Sequence, residues 1–332
     1  MLRLSGSRCQ RPGASRASRS ALVLRAGVAF ALVAALAGCG GDDSSPANQG
    51  NKTASKPTPT EVKPLASWSK QPVKVGRAVE TKYQGPKSGV SFKVHVWLPT
   101  DYDEPSAASK RYPVVVAFPG GSGTTGTPWF THGGPSAIAA GAQSGKSSQF
   151  ILVQPQMQID DAHDTECTDL EGQPKVGTFL GKDLPELIKH DFRTSTSPTG
   201  WGTTGVSSGG YCAAVIAMHN PNTFSAAAPL DGYFNIDSNL AAGKTPAAKA
   251  TDPMHVVQTA PPKVAIKSWY GTGANNGALS KKNSTDFAAV VKPPTTFEMQ
   301  EVPNGAHSWT TYTSILPDVF SWLSSKLDKP AG

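Results

Sequence analysis

Between residues 91 and 305 the chain alternates two kinds of apolar pattern with helix-like segments. The stretch SFKVHVWLP (91–99) alternates residue by residue and places Phe92, Val94, Val96 and Leu98 on one face, as a half-buried strand does. YPVVVAFPG (112–120) is a continuous β-branched run, which suits a strand covered on both faces. FILVQPQ, GWGTTG, FSAAAPLDGYF, KVAIKSWYGTG and TTFEMQEVPNG read as further strands. SGGYCAAVIAMHN carries Tyr211, Val215, Ile216 and Met218 on an apolar side and stops at Asn220-Pro221, so it reads as a helix. NSTDFAAVVK is expected to start a second helix at a capping Ser284 or Thr285. HSWTTYTSILPDVFSWLSSKL predicts a long last helix with Trp309, Leu316, Val319, Phe320 and Leu323 available to the core. Pro317 should kink it or sit in its first turn. Strands alternating with helices imply an α/β fold: one globular domain, a mainly parallel central sheet and helices on both faces.

The N-terminal pattern differs. Arg3, Arg8, Arg11, Arg16, Arg19 and Arg25 stand in the first 25 residues with no acid, and the apolar run AGVAFALVAALAG follows. A basic region before a short apolar run is an export signal. The run is shorter than the ~20 apolar residues a membrane-crossing helix needs. Leu36-Ala37-Gly38-Cys39 resembles the bacterial lipobox, which implies acylation of Cys39 at the start of the mature chain. The long basic region leaves open a true start downstream of Met1. The next segment is rich in Gly, Ser, Pro and Thr and too poor in apolar residues to fold. The expected organisation is therefore a signal over 1–38, a flexible tether over 39–68 that carries lipidated Cys39, and a globular domain over 69–329. The expected address is extracytoplasmic, held at the cell membrane by lipid or secreted.

Charge and cysteine content take on a different meaning once the signal is set aside. Removing its six arginines from the +7 of the full chain leaves +1. No basic surface calls for a nucleic-acid partner. Cys9 lies in the signal and Cys39 at the lipid site, so Cys167 and Cys212 remain, and outside the cytoplasm they are expected to pair.

The chemistry centres on TGWGTTGVSSGGYCAAVIAMHN (199–220). Gly205-Val206-Ser207-Ser208-Gly209 reads G-x-S-x-G, preceded by a strand and followed by a helix. On a sharp strand-to-helix turn the serine projects above the sheet, and flanking glycines allow the close approach this turn requires. Ser207 is the expected nucleophile, and the backbone N–H of Ser208 one oxyanion donor. Among seven histidines, His307 follows the last strand and precedes the last helix, where such a fold places its base. His95, His190 and His219 read as structural, and His132 as a residue lining the pocket. The loop PGGSGTTG after the central strand offers Gly121 as second oxyanion donor. His163 lies near Asp160, Asp161 and Asp164, an acidic loop that reads as solvated rather than metal-binding. Neither a metal nor a cofactor is expected.

With these residues placed, the chain resembles the esterase D and mycolyltransferase (antigen 85-type) branch of the α/β-hydrolases, most closely the secreted actinobacterial esterases. The resemblance runs from Val73 to Leu327. It rests on DTECTD, KDLPELI, GWGTTGVSSGGYCAA, GYF after APLD, and AHSWTTY with a closing SWL helix. It implies a metal-free serine mechanism on carboxylic esters, with Ser207 as nucleophile, His307 as base, and Gly121 and Ser208 as oxyanion amides. One departure stands out. Relatives keep an acid after the strand KVAIKSWYGTG, whereas here the loop holds Asn275 and Asn276. Mycolyltransferases take their acid from a later helical segment, which points first to Asp286, then to Asp231 at the end of the preceding strand, then to Glu301.

Three readings of function follow: hydrolysis through an acyl-enzyme, acyl transfer to a sugar or lipid alcohol, and a tethered binding lipoprotein on a hydrolase scaffold. The expected substrate is a small-molecule, lipid or polysaccharide ester, met by a monomer that touches the membrane only through its anchor. Trp129, Phe130 and Trp309 flank the expected site and suit an apolar or aromatic acyl group.

Overall fold

The computed structural model describes residues 63–332, apart from 122, 124–125, 239, 241–244 and 274–276. The signal, the tether up to residue 62 and Cys39 lie outside the described residues, as do Asn275 and Asn276.

Among the described residues nine strands form one sheet: β1 (Ser69–Gln71), β2 (Arg77–Gln84), β3 (Ser91–Leu98), β4 (Val114–Phe118), β5 (Ile151–Pro155), β6 (Trp201–Val206), β7 (Ala226–Leu230), β8 (Ala265–Gly271) and β9 (Thr296–Val302). Their order is β1-β2-β3-β5-β4-β6-β7-β8-β9. β1 to β3 pair antiparallel, as do β3 and β5; every pair from β5 to β9 is parallel. All seven strands expected from the sequence form. β1 and β2 were not foreseen, because β1 is only three residues long and the polar-rich β2 alternates only weakly.

Among the described residues the α-helices are α1 (Pro128–Thr131), α2 (Gly134–Gln143), α3 (Val176–Thr178), α4 (Leu184–Asp191), α5 (Ser208–His219), α6 (Pro246–Thr251), α7 (Pro253–Thr259), α8 (Gly277–Ala288) and α9 (Trp309–Lys326). Alternate residues of the buried strands feed two apolar layers. Val114, Val116 and Phe118 of β4, with the foreseen face Phe92, Val94, Val96 and Leu98 of β3, pack with α4, α5, α7 and Phe287 of α8. Val115 and Ala117 turn the other way, towards α1, α2 and the Leu316, Val319, Phe320 and Leu323 face of α9. Burial on both faces explains why β4 reads as an unbroken apolar run.

Two boundary expectations are corrected, and one of the two places open to Pro317 is excluded. The domain begins before residue 69: the amides of Leu65 and Ala66 donate to the Asp191 carboxylate at 2.7 and 3.2 Å, and Trp68 Nε1 donates to it at 2.8 Å. Helix α8 starts at Gly277, so Ser284 is not a cap. Ser284 is buried and shares a hydrogen bond of 2.8 Å with Ser268 of β8. Pro317 lies inside α9 rather than in its first turn. It sits on the exposed side, where water can take the Thr313 carbonyl that loses its helical donor.

Candidate active site

The site forms at the carboxyl ends of the parallel strands. At the β6–α5 junction Ser207 holds φ 57° and ψ −122°, a conformation L-residues rarely adopt. Its amide donates to the Leu230 carbonyl at 2.9 Å, which pins the turn to the end of β7. The flanking glycines are sterically required. A Cβ on Gly205 would stand 1.9 Å from the Gly209 oxygen, and one on Gly209 would stand 2.2 Å from the Pro119 oxygen. The G-x-S-x-G spacing is thus the local requirement of a turn that drives strand, helix and preceding loop into contact.

Ser208 is the first residue of α5, so helix geometry gives its N–H no acceptor within the helix. Its hydroxyl donates to the Gly121 carbonyl at 2.8 Å and ties the glycine loop after β4 to the start of α5. Gly121 has φ +65°, and the space about its Cα is open. The two expected oxyanion residues are therefore brought together beside Ser207, over the positive end of the helix dipole.

His307 precedes Ser308, whose side chain caps α9 by accepting from the Thr311 amide. The ring of His307 meets Tyr312 edge-on, with centroids 5.8 Å apart. This pair occupies the positions before the cap and four into the helix, the arrangement that fixes the angle at which a chain enters a helix. The preceding turn presses on β8: a Cβ on Gly271 would stand 2.2 Å from the Gly305 oxygen.

The acid beside this histidine is Asp231. Its Oδ2 lies 3.6 Å from His307 Nδ1, and its Oδ1 accepts from the Gly271 amide at 2.7 Å. Asp231 immediately follows β7, is buried, and has φ +46°. Asp tolerates this region better than most side chains. The sequence-based preference for Asp286 is corrected accordingly. Asp286 lies on α8, half exposed, and pairs with Lys282 one turn earlier on the same helix. Glu301, the third choice, lies on β9 within 3.7 Å of Lys281. Tyr312 was not foreseen. It is buried, and burial, together with the charge of Asp231 and a hydrogen bond to it, pushes its pKa up, so it stays protonated.

The three aromatic residues divide. Trp129 is fully buried, its Nε1 donating to the Phe118 carbonyl at 2.8 Å, so it is a core residue. Trp309 stacks on His132 at 4.8 Å and meets Trp129 edge-on. Phe130 lines a cavity of about 460 Å³ with His95, Thr127 and Lys74. A second cavity of about 360 Å³ shares His95 and Thr127 and reaches Gly123 of the glycine loop. His95 Nδ1 lies 3.2 Å from Glu80, and burial holds its pKa below the ordinary value, so it faces these cavities uncharged. Cys167 and Cys212 form a disulfide with Cα atoms 5.5 Å apart. His163 pairs with Asp160 alone, and among the described residues no group of three or more His, Cys, Asp or Glu is placed to hold a metal. Among them, too, no helix is long and apolar enough to cross a membrane.

Comparison with known proteins bears on the family and the fold. A family model described as "Putative esterase" matches residues 86–323, and the chain belongs to that family. An uncharacterized protein of Corynebacterium glutamicum is 26% identical over 255 residues, which cover 70% of this chain and 57% of that protein. The chain thus spans little more than half the length of that relative. Among solved structures, an S-formylglutathione hydrolase from Agrobacterium tumefaciens superposes with a TM-score of 0.63 at 17% identity, covering 78% of this chain and 99% of the other. A ferulic acid esterase superposes with a TM-score of 0.61 at 18% identity, covering 75% and 98%. These likenesses bear out the expected fold and the esterase D resemblance.

Proposed function

We propose that the protein is an extracytoplasmic carboxylic ester hydrolase that works through an acyl-enzyme on Ser207. The observation that carries the reading is the approach of Asp231 to His307 Nδ1, 3.6 Å, beside the strained Ser207 turn. Asp231 holds the Nδ1–H tautomer and leaves Nε2 as base. Nε2 takes the Ser207 hydroxyl proton as Oγ forms a bond to the ester carbonyl carbon. The carbonyl oxygen becomes an oxyanion, stabilised by the N–H groups of Gly121 and Ser208. The tetrahedral intermediate then expels the alcohol, which takes the proton back from His307. Water repeats the sequence on the acyl group and frees Ser207. The cavity of about 360 Å³ that reaches Gly123 and Gly126 of the glycine loop offers room for one arm of the ester.

The binding-lipoprotein reading drew its support from the absence of an acid in the loop after β8. Asp231 removes that support, because the acid comes from the end of β7 instead. For the address, the lipobox-like run at Cys39 and the Cys167–Cys212 disulfide support a lipid-anchored protein in an oxidising compartment.

A fluorophosphonate probe followed by peptide mapping tests the mechanism. Labelling at Ser207, lost in Ser207→Ala and strongly slowed in His307→Ala, is the expected result. A folded chain that neither labels nor hydrolyses p-nitrophenyl acetate would sink the reading. Product analysis with an added alcohol would separate hydrolysis from acyl transfer, and Cys39→Ser should move the protein from the membrane to the soluble fraction.

A further inference from the structure

Asp231 stands in a left-handed backbone conformation, which costs an L-residue about 1–2 kcal/mol. Such a conformation persists only where the surrounding structure over-determines it. On its N-terminal side the constraint is evident: the Asp231 amide donates to the Trp269 carbonyl at 2.8 Å, continuing the sheet. On its C-terminal side the chain leaves the sheet as Gly232-Tyr233-Phe234-Asn235-Ile236-Asp237-Ser238, which forms neither strand nor helix. Phe234 packs on Phe287 and Phe297, and the rest of the segment is held in part by another irregular stretch, residues 164–168.

The contact centres on Glu166. The Tyr233 hydroxyl donates to Glu166 Oε1, and the Asp237 amide donates to Oε2 at 2.7 Å. The Ser238 hydroxyl donates to the Asp164 carbonyl of the same stretch. Glu166 and Cys167 are themselves left-handed, with φ 46° and 59°. Their stretch is fastened to α5 by the Cys167–Cys212 disulfide, five residues beyond Ser207. Tyr211, the neighbour of Cys212, stacks on Tyr233 at 5.1 Å, and its hydroxyl donates to Asp252 at 3.2 Å. Asp252 in turn accepts from the Ile236 amide. The helix that begins at the nucleophile and the loop that begins at the acid are therefore joined through two buried carboxylates, Glu166 and Asp252, through the Tyr211–Tyr233 stack and through one disulfide. Hydrophobic packing alone would not need a buried Glu here, since an acid of this kind is costly to bury without partners.

We propose that Glu166 is a positioning residue for the reaction: by accepting from Tyr233 and Asp237 it fixes the loop that carries Asp231 against the nucleophile helix. This inference rests on the hydrolase reading. Misplacing a catalytic group by an ångström costs up to about a hundredfold in rate with little effect on ground-state binding. Loss of the Glu166 contact should therefore appear in kcat and not in KM.

The test is a double-mutant cycle on the full mature chain with p-nitrophenyl acetate, well below the melting temperature of every variant. Glu166→Ala and Tyr233→Phe should each lower kcat roughly tenfold with KM unchanged. The double variant should be no slower than the slower single, because both remove one coupling. Glu166→Gln, which keeps an acceptor for Tyr233, should recover part of the loss. Variants that melt earlier but keep the wild-type kcat would overturn the inference and leave Glu166 a purely structural residue. Should Glu166→Ala fail to fold, Tyr233→Phe and Glu166→Gln decide by the same kcat criterion. An inactive wild-type chain would overturn the hydrolase reading and this inference with it; an active wild type with unchanged variants would overturn the inference alone.

Discussion

Asp231 gives its two carboxylate oxygens to two different elements: Oδ2 lies 3.6 Å from His307 Nδ1, and Oδ1 accepts the Gly271 amide at 2.7 Å. The second bond holds the carboxylate when the first is loose. A separation of 3.6 Å is longer than a formed hydrogen bond, and such contacts tighten when substrate is bound. Asp231→Asn preserves size but favours the wrong histidine tautomer, and kcat should fall by about 10³–10⁴-fold. Asp286→Asn removes only an exposed pair with Lys282 and should leave kcat within about twofold of wild type. Steady-state kinetics of the two variants side by side checks the assignment. Equal losses in both would refute it.

This assignment also marks where sequence and structure part. Ser207 and His307 are legible because each is defined locally: a serine between glycines at a strand-to-helix junction, and a histidine just before a capped last helix. A triad acid has no such local definition, since any strand end near the histidine can supply it. Asp231 did leave a trace, an Asp-Gly pair directly after a buried strand, where a left-handed residue is easily accommodated. Asp286 was attractive because mycolyltransferases take their acid from a later helical segment, yet its helical neighbour Lys282 already pairs with it. Trp129 misled for a related reason. The sequence PWF does not reveal which ring turns inward, and only the bond from its Nε1 to the Phe118 carbonyl shows that Trp129 does.

The Ser207 turn should tolerate no added methyl group. A Cβ on Gly209 would lie 2.2 Å from one backbone oxygen and 2.5 Å from another, those of Pro119 and Phe118. Backbone cannot yield as a flexible side chain can. Gly209→Ala should therefore cost more than about 3 kcal/mol, in the range of severe core overpacking. Thermal unfolding should show a large fall in Tm or no soluble protein. Gly121→Ala makes the contrast: its surroundings are open, so the protein should fold, with a smaller loss of stability from φ +65° alone.

The Cys167–Cys212 bridge closes a loop of 45 residues in sequence separation. Chain entropy for such a loop corresponds to about 4 kcal/mol of stabilisation. Reduction, or Cys167→Ser with Cys212→Ser, should lower Tm by roughly 10 °C in a domain of this size. Calorimetry with and without dithiothreitol reads it directly. A Tm insensitive to reductant would mean the thiols do not pair in solution.

Glu166 should make the stability of the domain depend on pH in an unusual direction. Burial pushes its pKa up from 4.5 to about 7, against the opposing pull of the hydrogen bonds from Tyr233 and Asp237. In the unfolded chain the carboxyl is ordinary. Between pH 4.5 and 7 the folded protein therefore holds a proton that the unfolded chain has released. Stability contributed by this group is fully present below the unfolded value and is lost as pH rises through about 7. The shift corresponds to about 3 kcal/mol over that window. Its near neighbours Asp164 and Asp252 are raised in the same direction by burial and add to the trend. Glu166→Gln, neutral at every pH, should flatten the decline between pH 5 and 8 and be the more stable protein at pH 8. Urea unfolding at several pH values measures both slopes. Parallel profiles for the wild type and the variant would show that Glu166 is ionised throughout, and that the donors from Tyr233 and Asp237 outweigh its burial.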